Sequence, residues 1–333
     1  MQTVWDSIQL AAPHRPHRPI ARGVIAGFVG LVVLVTSSCS PADSALARVE
    51  GRAEQETELS PCEVAYQGAQ HDQAAFDAAI SSVQRSQASR SASEHWIAVA
   101  ANCTGRFAEG SMNSALALYA LSRIEGTSPF SDAIAAVPSD AIAGSHLSSS
   151  EASAIALAED RAGFGIEVLA ARSGASSDSL RLSDNHKALA QSLVSLHPET
   201  SDPREKVYAV QQLLAHPATI TDSVTGLSTT TSGQIEMDTA RAIVEAMTVT
   251  KSSSENDTDG DDASASASSS SSSSSSTSTS TSTSTSASSS NRNAEDSIQA
   301  LTVAARITAS RAATAFALGF PAFRAAVLTP ARS

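Results

Sequence analysis

Between residues 148 and 323 the apolar positions recur three and four apart, the spacing of helices that bury one face. The rhythm is clearest at Ile155, Glu159, Ala162, Ile166 and Leu169, which share one side of a helix expected over 149–173. Ser148 and Glu151 form the capping box that would start it, and Gly174 suits the position just past its end. Leu182, His186, Leu189, Leu193 and Leu196 repeat the pattern over 177–197. The turn between the two is short, so an antiparallel pair is expected. Asp202-Pro203 followed by Glu205 predicts a third helix, which Pro217 would stop. A Thr/Ser/Gly loop leads to a fourth over 234–247, packed through Ala240, Ile243, Val244 and Met247. A long fifth over 294–318 turns Ile298, Leu301, Ala305, Thr308, Ala312 and Ala315 inward, and Gly319 and Pro321 end it.

A smaller helical segment over 61–126 precedes these. One helix is expected over 69–90 with Phe76, Ile80 and Val83 inward. Ser91-x-x-Glu94 has the form of a second capping box, opening a helix through Trp96, Ile97, Ala100, Cys103 and Phe107. A third carries Met112, Leu116 and Tyr119 and ends near Gly126, and residues 127–147, with Pro129 and Pro138, read as a connector. Residues 252–290 break the pattern: a short acidic patch, then Ser and Ser-Thr repeats. Such a tract buries no apolar surface and is expected to be disordered. As a flexible coil it spans roughly 30–35 Å, which leaves the direction of the next helix free. The fold class expected is therefore all-α: an up-down helical bundle over 148–323, interrupted by the tract and preceded by a small helical segment.

The N-terminal residues carry a different signal. Arg15, Arg18 and Arg22 precede an apolar run from Gly23 to Val35, as the charged and hydrophobic regions of a signal peptide do. The run falls short of the ~20 residues that span a bilayer. Val35-Thr36-Ser37-Ser38-Cys39 resembles a bacterial lipobox. That resemblance implies removal of residues 1–38, a diacylglyceryl thioether on Cys39, and a tether over 39–60. The alternatives are an uncleaved anchor, which the short run disfavours, and plain secretion with cleavage after Ala45-Leu46-Ala47, which lies far beyond Val35. With Cys39 assigned to lipid, Cys62 and Cys103 remain as a pair in an oxidising compartment, and a disulfide between them is expected. The rival, a metal site, lacks C-x-x-C spacing and a nearby histidine pattern. Trp96 is expected in the core against that disulfide.

Charge narrows the partners. The whole chain carries a formal −12, and loss of residues 1–38 removes three arginines and one aspartate, giving −14. The remaining lysines are Lys187, Lys206 and Lys251. A chain so acidic lacks the basic face that phosphate contacts require, so nucleic acid is excluded as a partner. The partners expected are the membrane, through the lipid, and an envelope protein or small ligand. No G-x-S-x-G, H-E-x-x-H, glycine-rich phosphate loop or C-x-x-C occurs, so no catalytic residue is assigned and no cofactor is expected.

Three stretches resemble a known domain: Ala156-Leu157-Ala158-Glu159-Asp160-Arg161-Ala162-Gly163-Phe164 with Leu169-Ala170-Ala171-Arg172, then His186-Lys187-Ala188-Leu189-Ala190, then Ala304-Ala305-Arg306 through Phe320-Pro321. Together they resemble a ferritin-like domain of unknown function found in actinobacterial lipoproteins, over about residues 148–323. The resemblance implies an up-down ferritin-like bundle and brings no established activity with it. Ferritin-like bundles often hold two metals through inward glutamates and Glu-x-x-His pairs, which makes Glu159 and His186 the candidate ligands. Ser183 stands where Glu-x-x-His needs glutamate. Hairpin arithmetic also sets Glu159 opposite residue 190 and His186 opposite 163, an offset of about 6–8 Å along the axis. A structural pair in the core is the reading adopted, with either residue replaceable by leucine at little cost if water can satisfy its partner. The function expected is a non-catalytic envelope binding or scaffolding module. The alternative is a metal-binding or redox protein of the di-metal bundle type.

Overall fold

The computed structural model describes residues 59–127, 137–174, 176–256 and 285–322. The signal peptide, the lipidation site at Cys39, nearly all of the tether, and the middle of the serine tract lie outside them. Among the described residues the fold is an all-α helical bundle with one short hairpin. In chain order the elements are α1 (Pro61–Ala78), α2 (Ser82–Asn102), α3 (Phe107–Glu125), α4 (Ser139–Ala143), α5 (Ser149–Ser173), α6 (Ser177–Val194) and α7 (Gln211–Ala215). Strands β1 (Thr219–Thr221) and β2 (Ser228–Thr230) follow, then α8 (Thr231–Asn256) and α9 (Thr285–Ala317).

Capping decides where the first helices lie. Ser60 caps α1 with Pro61 at its first position, and Glu63 returns a bond to the Ser60 backbone. The helix therefore starts eight residues before the expected position. It ends at Ala78, because Ala79 is extended and Ser81 with Gln84 forms a new capping box for α2. Ser91 thus lies inside α2 and caps nothing. Glu94 instead holds Arg306 of α9, at 3.0 Å from Nη1. The break also turns out the residues expected inside: Ile80 is 91 % exposed and Val83 66 %. The disulfide between Cys62 and Cys103 joins the first turn of α1 to the residue capping α2. Cys103, Trp96, Val99 and Ala65 share one apolar cluster, in which the Tyr66 ring meets Trp96 edge-on at 5.9 Å. Trp96 is a core residue. Gly110 lets α3 lie against α2, since a Cβ there would come within 2.6 Å of the Trp96 carbonyl.

Helix α9 is the axis of the molecule. It packs against α8 on one side and against α2 and α3 on another, so it joins the N-terminal segment to the later helices. Between Ala300 and Phe316 nearly every side chain is buried, far beyond one inward stripe. Alanines at 304, 305, 309, 312, 313 and 315 keep its surface thin enough for neighbours on several sides. Helix α5 packs against α6 and α8. Its span and its Ser148–Glu151 capping box are as the pattern predicts.

Two expectations change among the described residues, and residues 257–284 of the serine tract lie outside them. The helix expected between Asp202 and Pro217 shrinks to α7, and residues 201–210 form an irregular strap over α5. The strap spends its polar groups on tertiary bonds: the Glu205 N–H donates to the Tyr208 hydroxyl (3.0 Å), which donates to Asp160 (2.8 Å). Tyr208 is buried, with its ring 5.5 Å from Phe164, and that contact outweighs a marginal short helix. The serine tract, expected to be disordered over 252–290, is helical at both ends: α8 runs on to Asn256 and α9 begins at Thr285. Extending a helix already nucleated is cheap, even through serine.

Opening the disulfide is the direct test of the α1–α2 clasp. A 41-residue separation corresponds to roughly 4 kcal/mol of stabilisation in the chain-entropy model. Cys62→Ser with Cys103→Ser is expected to lower the melting temperature by several degrees, with the same shift on reduction of the wild-type chain. Non-reducing peptide mapping should recover the two cysteines joined.

Candidate functional site

Four helices each send one ionisable side chain to a common point in the core: Glu159 from α5, His186 from α6, Glu236 from α8 and Arg311 from α9. All are buried, at no more than 1 % exposure. Imidazole Nδ1 of His186 lies 2.6 Å from Glu159 Oε2, and its Nε2 lies 2.8 Å from Glu236 Oε1. Arg311 grips Glu159 with two bonds, from Nε to Oε1 at 2.9 Å and from Nη2 to Oε2 at 2.7 Å. With a carboxylate against each nitrogen the ring donates twice, as an imidazolium. Two anions then face two cations, and the cluster is neutral.

The axial offset expected between Glu159 and His186 holds, but it does not keep their side chains apart, which meet at 2.6 Å. Residue 163 does face 183–187: a Cβ on Gly163 would come within 3.2 Å of the His186 Cβ and 3.0 Å of the Ser183 carbonyl. Lacking that Cβ, α5 and α6 approach closely, and Ser183 donates across the gap to the Gly163 carbonyl at 2.8 Å. The offset of one helical turn is about 6 Å, which a glutamate and a histidine reaching toward one another close. Glu236 and Arg311 were missed, yet the pattern held the signal. Glu236 lies one turn before the inward Ala240, and Arg311 lies between the inward Thr308 and Ala315.

The charges tune one another. Burial and the nearby Arg311 disfavour a charged His186, but the two glutamates outweigh them and hold its pKa above the ordinary value. Burial would raise the Glu159 pKa, yet Arg311 and His186 bring it below the usual carboxylate range. Oε2 of Glu236 and Nη1 of Arg311 have no hydrogen-bond partner among the described residues, so Glu236 depends on His186 for its direct contact. Both carboxylates are thus held by internal cations. Among the described residues no group of three or more His, Cys, Asp or Glu side chains is arranged to hold a metal.

A second polar cluster shapes the surface. Asp222, fully buried at the end of β1, accepts two bonds from the Arg241 guanidinium (2.7 and 2.9 Å), one from Gln234 (2.9 Å), and two from the backbone and hydroxyl of Thr225. Burial opposes its charge, but these bonds and Arg241 push its pKa far below the usual range. The Thr230 hydroxyl caps α8 at Gly233 and donates to the Leu318 carbonyl at the end of α9 (2.7 Å). The hairpin is thereby pinned beside an open cleft with two parts. A polar basin of about 480 Å³ lies against the hairpin and α8, lined by Thr219, Thr221, Ser228, Gln234 and Asp238 among others. An apolar trough of about 320 Å³ runs between α5 and α8 under the strap, with Leu157, Ala158, Phe164, Ile235 and Ala242 in its walls. Gln212 and Asp238 line both.

No protein-family model matches the chain, and no curated protein or solved structure matches it either.

The core cluster reverses the expectation that leucine is tolerated at these positions. Glu236 has no exposure through which water could replace His186, so His186→Leu strands a buried anion and should cost about 3–5 kcal/mol. Glu159→Leu should cost a similar amount by stranding Arg311. Urea unfolding measures both, and Glu159→Leu with Arg311→Met should recover much of the loss.

The pH dependence follows from the directions of the shifts. A histidine pKa raised on folding contributes stability that is complete below the unfolded value of about 6.5 and is lost as pH rises through the folded value. The lowered pKa values of Glu159 and Asp222 contribute above the ordinary carboxylate range and fade as pH falls through their folded values. Thermal melts should therefore show stability declining as pH rises from about 6.5 through the folded value of His186. His186→Gln should lower the curve and remove that decline.

Proposed function

We propose that the protein is a lipid-anchored cell-envelope module that binds or scaffolds and carries out no catalysis. The observation that carries this reading is the division of its polar groups. The ionisable residues buried by the bundle are spent on one another, and the open cleft lies on the surface. The signal-like N-terminus with Cys39 and the tether over 39–60 favour display on the extracytoplasmic face of the cell membrane. The Cys62–Cys103 disulfide suits an oxidising compartment. No helix among the described residues is long and apolar enough to cross a membrane, and the attachment proposed is lipid on Cys39, which the lipobox-like Val35-Thr36-Ser37-Ser38-Cys39 supports. The ferritin-like resemblance belongs to the same proposal, with the di-metal chemistry set aside. A metal would have to displace Arg311 from Glu159 and His186 from Glu236, exchanging a neutral cluster for a competing cation.

Membrane attachment is tested at Cys39. The mature wild-type chain should begin at Cys39, carry the mass of a diacylglyceryl group and partition with membranes. Cys39→Ala should remain uncleaved or be released without detergent. A mature chain beginning at Arg48 and free of lipid would overturn the proposal.

A further inference from the structure

We infer that the surface cleft binds an amphiphile with one uncharged, hydroxyl-rich head and one alkyl chain, with a glycolipid as its source. The inference rests on reading the chain as a binding module, and it names what is bound.

The basin selects the head. Gln234 lies in its wall, 7 % exposed, and its Nε2 donates to Asp222 (2.9 Å) and to Asp238 (2.8 Å). Both amide hydrogens are thereby spent, which fixes the orientation of the side chain. The carbonyl Oε1 is left buried with no partner among the described residues. A buried acceptor without a donor is costly, and a ligand hydroxyl supplies the donor. Thr219, Thr221 and Ser228 add hydroxyls that donate and accept in turn, as a sugar requires. No lysine or arginine lines the basin, and Asp238 on its rim opposes an anionic head. A cationic head gains little, because Asp238 already receives Arg241 Nη1 at 3.0 Å.

The trough selects the chain. It continues from the basin at Gln212 and Asp238, and its walls are mostly apolar. A linear alkyl group leaving the head at that junction would lie between α5 and α8 beneath the strap, removing its surface and theirs from water. Neither a free sugar nor a fatty acid uses both parts.

The test titrates octyl β-glucoside, below its micelle concentration, into the unlipidated Cys39→Ala chain, with glucose and octanoate in parallel arms. Saturable binding of one octyl glucoside per chain is expected, with glucose and octanoate each weaker by at least about tenfold. Ala158→Phe and Ala242→Phe fill the trough from opposite walls and should each lose at least about tenfold in affinity without moving the melting temperature. Hydrogen exchange on the unsubstituted cleft should show protection of residues 208–213 and 219–230 on binding, which decides the matter if a filled variant fails to fold. Octanoate binding as tightly as octyl glucoside would overturn the reading of the head, and glucose doing so would overturn that of the chain. Undiminished binding by folded filled variants, protection confined to other segments, or no saturable binding would overturn the site. None of these results touches the attachment at Cys39, which the N-terminal mass decides separately.

Discussion

Everything inside this bundle has to accommodate four charges that water cannot reach. A lone carboxylate or guanidinium in such a place is strongly disfavoured, and only mutual pairing makes it tolerable. Because Glu159, His186, Glu236 and Arg311 come from four different helices, pairing is possible only when all four hold their positions along and around their axes at once. Leucine and alanine can slide past one another by a fraction of a turn at modest cost, whereas these charges cannot. The cluster therefore acts as a registration device, in the way buried polar groups set register in helical assemblies. The close approach of α5 and α6 at Gly163 and the thin, alanine-rich surface of α9 are the packing conditions that let the four side chains meet.

The same economy shows at the surface. Asp222 is buried and saturated with donors, so the hairpin it anchors is held rigidly although β1 and β2 pair only three residues each. That rigidity keeps the cleft open beside α8. The strap over 201–210, fastened through Tyr208, forms the facing edge. The cleft is thus framed by irregular chain on a helical base, where side-chain bonds rather than a backbone ladder determine its shape.

Much of the bundle was legible in the spacing of apolar residues, since α5, α6, α8 and α9 each carry a long stripe and α5 carries an unambiguous capping box. The polar core was legible only in half. Glu159 and His186 stood out because they interrupt stripes of Ile and Leu. Arg311 escaped because the stripe around it is alanine and threonine, against which a charge looks like an ordinary solvent face, and Glu236 because it stands ahead of the apolar stripe that begins at Ala240. Their contact across helices depends on reach, and axial arithmetic on helix positions leaves side-chain length out. The α1–α2 break was lost for another reason. Serines are so frequent there that Ser91-x-x-Glu94 and Ser81-x-x-Gln84 compete as capping signals, and only the packing of Trp96 and the disulfide selects the second. The helix expected after Asp202 failed because Tyr208 found a buried place that no local pattern announces.

The position of α9 in the chain has a consequence for how the molecule comes into being. The helix that contacts α2, α3 and α8 and supplies Arg311 is synthesised after every other described element, and behind a long tract of serine and threonine. Until it arrives, Glu159 lacks its guanidinium and the faces that α9 covers stand open to water. The earlier helices can form and pair locally, but the domain cannot close on the ribosome while α9 is still being made. Placing the central helix late makes completion of the fold a closing event, reached only after the rest of the described chain has been made.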